Sequence, residues 1–292
     1  MHAAFGRDDR RAASHVSAVR ARHGAHPLVN VLGVHVTRHS LTRVAAEVVQ
    51  WAGAPVDSTG PRYVCATSVH GLIEGIRDPE FRGILNAAAR VIPDGMPLVW
   101  FGRLRGFRAM QRVPGPSLMW EVCRLSAGLP VRHYLYGGAP GVALDLSRRL
   151  QAEHPGLDIA GIYCPPFRPL SSSELCEVAE RINASGAHIV WVGLSTPKQE
   201  RWIRAVKGLL RARVLLSVGA AFDFHAGRIR QAPSWMQQAG LEWFFRLLQE
   251  PRRLWRRYAF NNPLFVILAS LQLAGLKRFD NSNGEGGRVN AA

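Results

Sequence analysis

Two apolar runs lie close together in the second half of the chain, and each ends in small residues followed by polar ones. The first reads Val190-Trp191-Val192-Gly193-Leu194-Ser195-Thr196-Pro197-Lys198-Gln199-Glu200. The second, a helix length later, reads Val218-Gly219-Ala220-Ala221-Phe222-Asp223-Phe224-His225-Ala226-Gly227. A continuous apolar run that delivers small and polar residues at its end is how a buried parallel strand reads when it opens onto a site at its carboxyl end. Two such ends in succession predict one shared pocket.

The rest of the sequence repeats the unit. Strand-like runs are expected over 29–36, 63–69, 91–92, 132–136, 157–163, 188–194 and 214–219. Between them lie helical segments. Leu41, Val44, Ala45 and Val48 recur at helical spacing, as do Phe81, Ile84, Leu85 and Ala88 after the start signal Asp78-Pro79-Glu80. Ser171-x-x-Glu174 is a capping box ahead of Leu175, Val178, Ala179 and Ile182. A further helix follows Gly141 to about 153, and another spans 199–210. Repeated β-α units predict an α/β fold, a Rossmann-like doubly wound and mostly parallel sheet.

With 292 residues, 47% of them hydrophobic, the chain can bury a sizeable core. Its net charge of +16 predicts a polyanionic partner, whether nucleic acid, anionic lipid or a phosphate-bearing substrate. Cys65, Cys123, Cys164 and Cys176 form no C-x-x-C pair, which argues against structural zinc and fits a reducing compartment. Arg7, Arg10 and Arg11 precede no apolar run, so the N-terminus does not read as a signal peptide. Residues 1–27 read as a disordered basic tail, 28–240 as a catalytic α/β domain, 241–279 as a helical appendage and 280–292 as a second disordered tail.

The appendage is basic and amphipathic. Arg246, Arg252, Arg253, Arg256 and Arg257 stand among Trp243, Phe244, Phe245, Leu247, Trp255 and Tyr258. A solvated basic face would not need those aromatics; an interfacial membrane helix would. Arg252, Arg256, Arg257, Trp255 and Phe265 are the expected membrane contacts. Asn261-Asn262-Pro263 is expected to interrupt the helix. The apolar run over 264–276 that follows is shorter than the ~20 residues a spanning helix needs.

Several residues carry chemistry. Asp94 follows Val91-Ile92-Pro93 and reads either as a carboxylate poised at a strand end or as part of an Asp-Gly turn. Gly137-Gly138-Ala139-Pro140-Gly141 reads as a diphosphate-approach loop or as a tight turn between strand and helix. It is not G-x-G-x-x-G, which disfavours a nicotinamide cofactor. Thr196 and Pro197 suit a helix start, with Glu200 in the first turn. Lys198 and Gln199 are left over to meet a phosphate and a base or sugar edge. Asp223-x-His225 is read as structural rather than as a metal pair. The chain contains no Asp-x-Asp, so a diphosphate here needs cationic side chains instead. Arginine, with its planar fork, suits that task.

Taken in order, these motifs resemble the WecG/TagA/CpsF glycosyltransferase family (family 26). The resemblance runs from about residue 31 to 258. It rests on Pro93-Asp94-Gly95-Met96-Pro97, Arg112-x-x-Gly115, Tyr136-Gly137-Gly138, Ile182-Asn183-Ala184-Ser185-Gly186 and Gly193-x-x-x-Pro197-Lys198-Gln199-Glu200. It continues through Gly219-x-x-x-Asp223-x-x-x-Gly227, Ala232-Pro233-x-Trp235, and Leu241-Glu242-Trp243-x-x-Arg246-Leu247-x-x-Glu250-Pro251-x-Arg253. The resemblance implies inverting, metal-independent transfer of a hexose or N-acetylhexosamine from a UDP-sugar. The implied acceptor is a sugar on a polyprenyl diphosphate at the cytoplasmic face of a bacterial inner membrane, in surface-polysaccharide synthesis. It implies no cofactor, an anionic membrane surface as partner and no nucleic acid, and it is compatible with a homo-oligomer.

The same resemblance makes Asp94 the general base. Arg112, Gln199 and a basic residue of the appendage, Arg253 or a neighbour, then become donor-site residues. Gly137, Gly138, Gly193, Lys198 and Asp223 are expected to line the donor pocket. The family's Thr-x-Asn is replaced here by Ala66-Thr67-Ser68-Val69-His70, with Thr67 and either Ser68 or His70 in its place. A preference for N-acetylmannosamine therefore does not follow from the resemblance. The rival readings are a basic nucleic-acid-binding protein and a non-catalytic component of a polysaccharide-assembly complex.

Overall fold

A computed structural model describes residues 28–55 and 60–279; the tails expected over 1–27 and 280–292 lie outside the described residues. The described chain opens with a hairpin, β1 (Leu28–Val31) and β2 (Val34–Thr37), in which Val29 stands opposite Val36. The sequence reading expected a single strand here. The turn is concealed because Leu32 is apolar and buried. Leu32 and Gly33 both adopt positive φ, 51° and 85°, the two-residue geometry that matches strand twist.

After α1 (Leu41–Gly53) the chain alternates strand and helix. It runs β3 (Arg62–Thr67), α2 (Val69–Arg77), α3 (Pro79–Asn86), β4 (Arg90–Pro93), α4 (Met96–Leu104), α5 (Gly115–Ser126), β5 (Arg132–Gly137), α6 (Val142–Glu153) and β6 (Asp158–Tyr163). It continues with α7 (Ser172–Ala184), β7 (Ile189–Gly193), α8 (Lys198–Val206) and β8 (Val214–Ser217). Strands β3 to β8 form one parallel sheet in the order β4-β3-β8-β7-β5-β6. The expected Rossmann-like sheet is therefore present.

Strand residues alternate between two apolar layers, as the two-residue period demands. Val190 and Val192 join one layer, with Tyr63, Phe81 and Trp202. Ile189 and Trp191 join the other, with Val44, Leu118 and Leu146. Helix starts are fixed by their own side chains. Asp78 accepts from the backbone N–H groups of Glu80 and Phe81 at 3.0 and 3.2 Å, and Ser171 and Glu174 cap each other's backbone. Each such cap stabilises by about 1 kcal/mol.

Beyond β8 lie α9 (Ala221–His225), α10 (Ser234–Gln238), α11 (Glu242–Gln249) and α12 (Pro251–Leu273). The break expected at Asn261-Asn262-Pro263 does not occur: α12 runs straight through it. Pro263 withholds an N–H from the Ala259 carbonyl. Both residues are exposed, so water takes the free carbonyl and the loss is tolerated. Within the same helix Phe265, Leu268 and Ala269 occur at i, i+3 and i+4, and all three are buried against the core. Phe265 therefore holds the helix to the body and is not a membrane contact, as the sequence reading had it.

The end of α12 also clasps the opening hairpin. Gln272 accepts from the Leu32 N–H at 2.9 Å and donates to the Asn30 carbonyl at 3.1 Å, and the Asn30 amide donates to the Phe279 carbonyl at 2.8 Å. Among the described residues, no helix is long and apolar enough to cross a membrane.

Candidate functional site

Because the sheet is parallel, its strands deliver their ends to one edge: Ser68 after β3, Asp94 after β4, Gly138 after β5, Ser195 after β7 and Gly219 after β8. Asp94 is fixed there by its backbone and by one carboxylate oxygen. Its N–H donates to the Thr67 carbonyl at 3.0 Å, and Oδ1 accepts from the Gly115 N–H at 3.0 Å. Oδ2 has no protein partner among the described residues. A β-carbon on Gly115 would stand 2.8 Å from the Val218 carbonyl oxygen, so only glycine allows this approach. The next residue, Gly219, donates its N–H to Gln199 Oε1 at 3.0 Å. Contacts thus run unbroken from the Asp94 carboxylate, through Gly115 and the end of β8, to the start of α8.

Arg112 joins this edge to the C-terminal helices. Its Nε donates to the Asp94 carbonyl, its Nη1 to Gln237 Oε1 at 3.3 Å, and its Nη2 pairs with the Glu242 carboxylate. Burial raises the Glu242 pKa; Arg112 opposes the rise, and the nearby Asp94 charge adds to it. Arg112 was expected to hold a diphosphate. Here its guanidinium already carries an anion, the Glu242 carboxylate.

A second charged cluster lies beside the first. Asp223 is half-buried, and burial raises its pKa; Arg253, Arg246 and Arg228 oppose the rise, while Glu250 reinforces it. The Arg246 guanidinium sits 5.4 Å over the Phe224 ring, with Nη2 3.3 Å from Glu250 Oε2 and a buried Nε that has no partner. Arg253 is exposed and pairs with Glu250 at 2.5 Å. Arg252, Trp255 and Arg256 are exposed as well. Arg257 is not: burial lowers its pKa, with Arg253, Arg246 and Glu74 nearby. It is half-buried, and so less open than its neighbours Arg252, Trp255 and Arg256.

Other expected site residues make contacts within the protein. Gln199 is 1% exposed, and its amide is fully used. It accepts from Gly219 and donates to Glu200 Oε1 at 2.8 Å and Thr196 Oγ1 at 3.3 Å. Thr196 does not cap α8; its hydroxyl donates to Glu200 Oε1 at 3.0 Å, and Pro197 holds the cap position. Glu200 is fully buried, and burial raises its pKa. Thr67 is buried too, its methyl against Gly71. Gly137, at φ 124°, approaches Gly193 so closely that a β-carbon would lie 2.6 Å from the Gly193 carbonyl oxygen. Gly193 in turn lies under the Phe222 ring, and the Gly138 N–H donates to the Gly193 carbonyl at 3.0 Å.

Lys198 and Ser68 keep open positions. Lys198 is exposed, its Nζ 5.0 Å from the centre of the Phe167 ring, and Ser68 lies beside Gly95. Asp223 and His225 do not share a ligand position, because the His225 ring stacks on Trp120 and its Nε2 meets the Pro116 carbonyl at 2.9 Å.

Sequence reasoning passed over Glu242 and Asn261 as working parts, and it did not foresee the partners of Arg246 and His70. Glu242 and Arg246 lie inside a motif already quoted, and an acid amid arginines signals a pairing. His70 and Asn261 are 191 residues apart and gave no such signal.

The chain is similar to known proteins over most of its length. The chain is 29% identical over 208 residues to an N-acetylglucosaminyldiphosphoundecaprenol N-acetyl-beta-D-mannosaminyltransferase of Bacillus subtilis, covering 71% of this chain and 76% of that one. It is 32% identical over 184 residues to the enzyme of the same name from Bacillus spizizenii, covering 63% of this chain and 69% of that one. A family model matches residues 29–279, nearly all of the described chain. The chain belongs to the glycosyl transferase WecG/TagA/CpsF family.

Proposed function

We propose that the protein moves a hexose or N-acetylhexosamine from a UDP-sugar to a sugar carried on a polyprenyl diphosphate, with inversion and without a metal ion. The carrying observation is the Asp94 carboxylate at the sheet edge, with Oδ1 held by the Gly115 N–H and Oδ2 left without a protein partner. Asp94 accepts the proton of the acceptor hydroxyl. The acceptor oxygen bonds to the anomeric carbon, and the bond from that carbon to UDP breaks, leaving its electron pair on UDP. The relatives are named for a β-linked product. From an α-linked sugar nucleotide, that outcome requires attack on the face opposite the leaving group.

The leaving diphosphate carries the charge that the transition state must stabilise. Arg112 and Arg253 are the residues we assign to it; they pair with Glu242 and Glu250, which the diphosphate would displace. Ser68 and Lys198 are the remaining open donor contacts. We read residues 28–240 as the catalytic domain and 241–279 as an appendage that rests on the membrane. Exposed Arg252, Arg256 and Phe260 support that reading, because cations beside large apolar side chains suit an anionic lipid surface. UDP-sugars and lipid-linked acceptors meet at the cytoplasmic face of the inner membrane.

The test is a panel of UDP-sugars assayed for UDP release with a short-chain polyprenyl-diphosphate-linked acceptor, with and without EDTA. Release with one donor, unchanged by EDTA, is expected. No release with any donor, or release abolished by EDTA, overturns the corresponding part of the proposal.

A further inference from the structure

α11 and α12 enclose an apolar trough of about 640 Å³, within the size range of small-molecule sites. Trp243 and Leu247 form one wall; Trp255, Tyr258, Val266 and Ile267 form the other. The walls are braced by the edge-on contact of Trp243 with Tyr258, ring centres 5.6 Å apart. Trp243, Trp255, Val266 and Ile267 are all exposed to solvent. An open apolar surface of this kind marks a binding site for something equally apolar.

Guanidinium groups lie near Tyr258, in the wall of the trough. Arg246 precedes Leu247 and Arg257 precedes Tyr258 in the sequence, and Arg246, Arg257 and Arg253 all act electrostatically on Tyr258. The buried Nε of Arg246 has no protein partner. An apolar channel beside a cluster of guanidinium groups fits a ligand with a hydrocarbon chain joined directly to an anionic head. A polyprenyl diphosphate has that form: its first isoprene carbon is bonded to the diphosphate oxygen.

We propose that this trough binds the first isoprene units of the lipid-linked acceptor, with Arg246 and Arg257 beside it holding the adjoining diphosphate. The proposal rests on the acceptor class inferred above and names where that class is recognised. The appendage then selects the acceptor by its lipid as well as by its sugar.

The experiment uses the full chain without detergent or vesicles, in saturating UDP, and follows tryptophan emission, since Trp243 and Trp255 line the trough. The probes are farnesyl diphosphate and inorganic diphosphate. Farnesyl diphosphate is expected to shift the emission and to bind about tenfold or more tightly than inorganic diphosphate, as burial of a few methylene-sized groups requires. Ala259→Trp fills the channel and Ile267→Ser weakens its wall. Both side chains are exposed, so folding is spared, and both variants should lose most of that preference. Equal affinity for the two probes overturns the proposal. So does a variant that keeps the preference while losing only its binding to anionic vesicles, because the face then meets the bilayer. UDP affinity is measured in parallel. If it is absent while the farnesyl preference persists, the donor assignment fails and the trough stands.

Discussion

Asn261 on α12 donates its side-chain amide to Nδ1 of His70 on α2 at 3.0 Å. That bond fixes the tautomer: the proton of the neutral ring lies on Nε2, which is 3.3 Å from the Thr196 carbonyl oxygen. One half-buried imidazole thus links the C-terminal helix to the loop that leads into α8.

Burial, with help from Arg257, pushes the His70 pKa down from 6.5 to about 4, against the opposing pull of Glu74 and the Thr196 carbonyl. The unfolded chain takes up this proton near pH 6.5 and the folded protein only near pH 4. The stability His70 contributes is therefore complete above the upper value and is lost as the pH falls through the lower one. The loss is at most about 3 kcal/mol. Denaturant midpoints at pH 7 and pH 4.5 should differ less for His70→Gln than for the wild type. An equal dependence in both would remove His70 as the cause.

Asp94→Asn keeps an oxygen for the Gly115 N–H but no longer takes a proton. Turnover should fall by about 10²–10⁴, with UDP affinity unchanged by calorimetry. Wild-type turnover would show that another group is the base.

Glu242 competes for Arg112 with any incoming diphosphate. Glu242→Gln removes the competing charge and should tighten UDP binding about tenfold. Weaker binding would mean that Glu242 serves to hold Arg112 in position rather than to occupy it.

Trp191 donates its indole N–H to His133 Nδ1 at 3.0 Å, and His133 Nε2 meets Ser126 Oγ at 2.9 Å, all in the core. Trp191→Phe leaves the ring nitrogen without a donor. Unfolding free energy should drop by about 1–3 kcal/mol while UDP affinity stays the same.

The sheet was legible because its strands are buried on both faces, so Val190-Trp191-Val192 and Leu215-Leu216 read as continuous apolar runs. The edge where Asp94, Ser68 and Gly219 meet follows from that order. The appendage was less legible. Pro263 suggested a break that the exposed side of the helix simply tolerates, and Phe265 read as lipid-facing because a lone apolar segment does not reveal which body it covers. At Gln199 the residue type suggested a ligand contact, and at Thr196 a helix cap. Their polar atoms are consumed by Glu200 and Gly219, pairings set by the approach of α8 to the end of β8. Arg112 and Glu242, 130 positions apart, illustrate the general difficulty: a charge's partner is decided by packing that no local pattern records.

The hydrogen bonds from Gln272 to Leu32 and Asn30 span more than 200 positions of chain, so the hairpin is synthesised long before the helix that completes it. On the ribosome those early strands have no cover for one of their faces until translation reaches the last helix. Assembly of this enzyme therefore finishes only after α12 has been made, and a product stopped before it carries an open, adhesive flank.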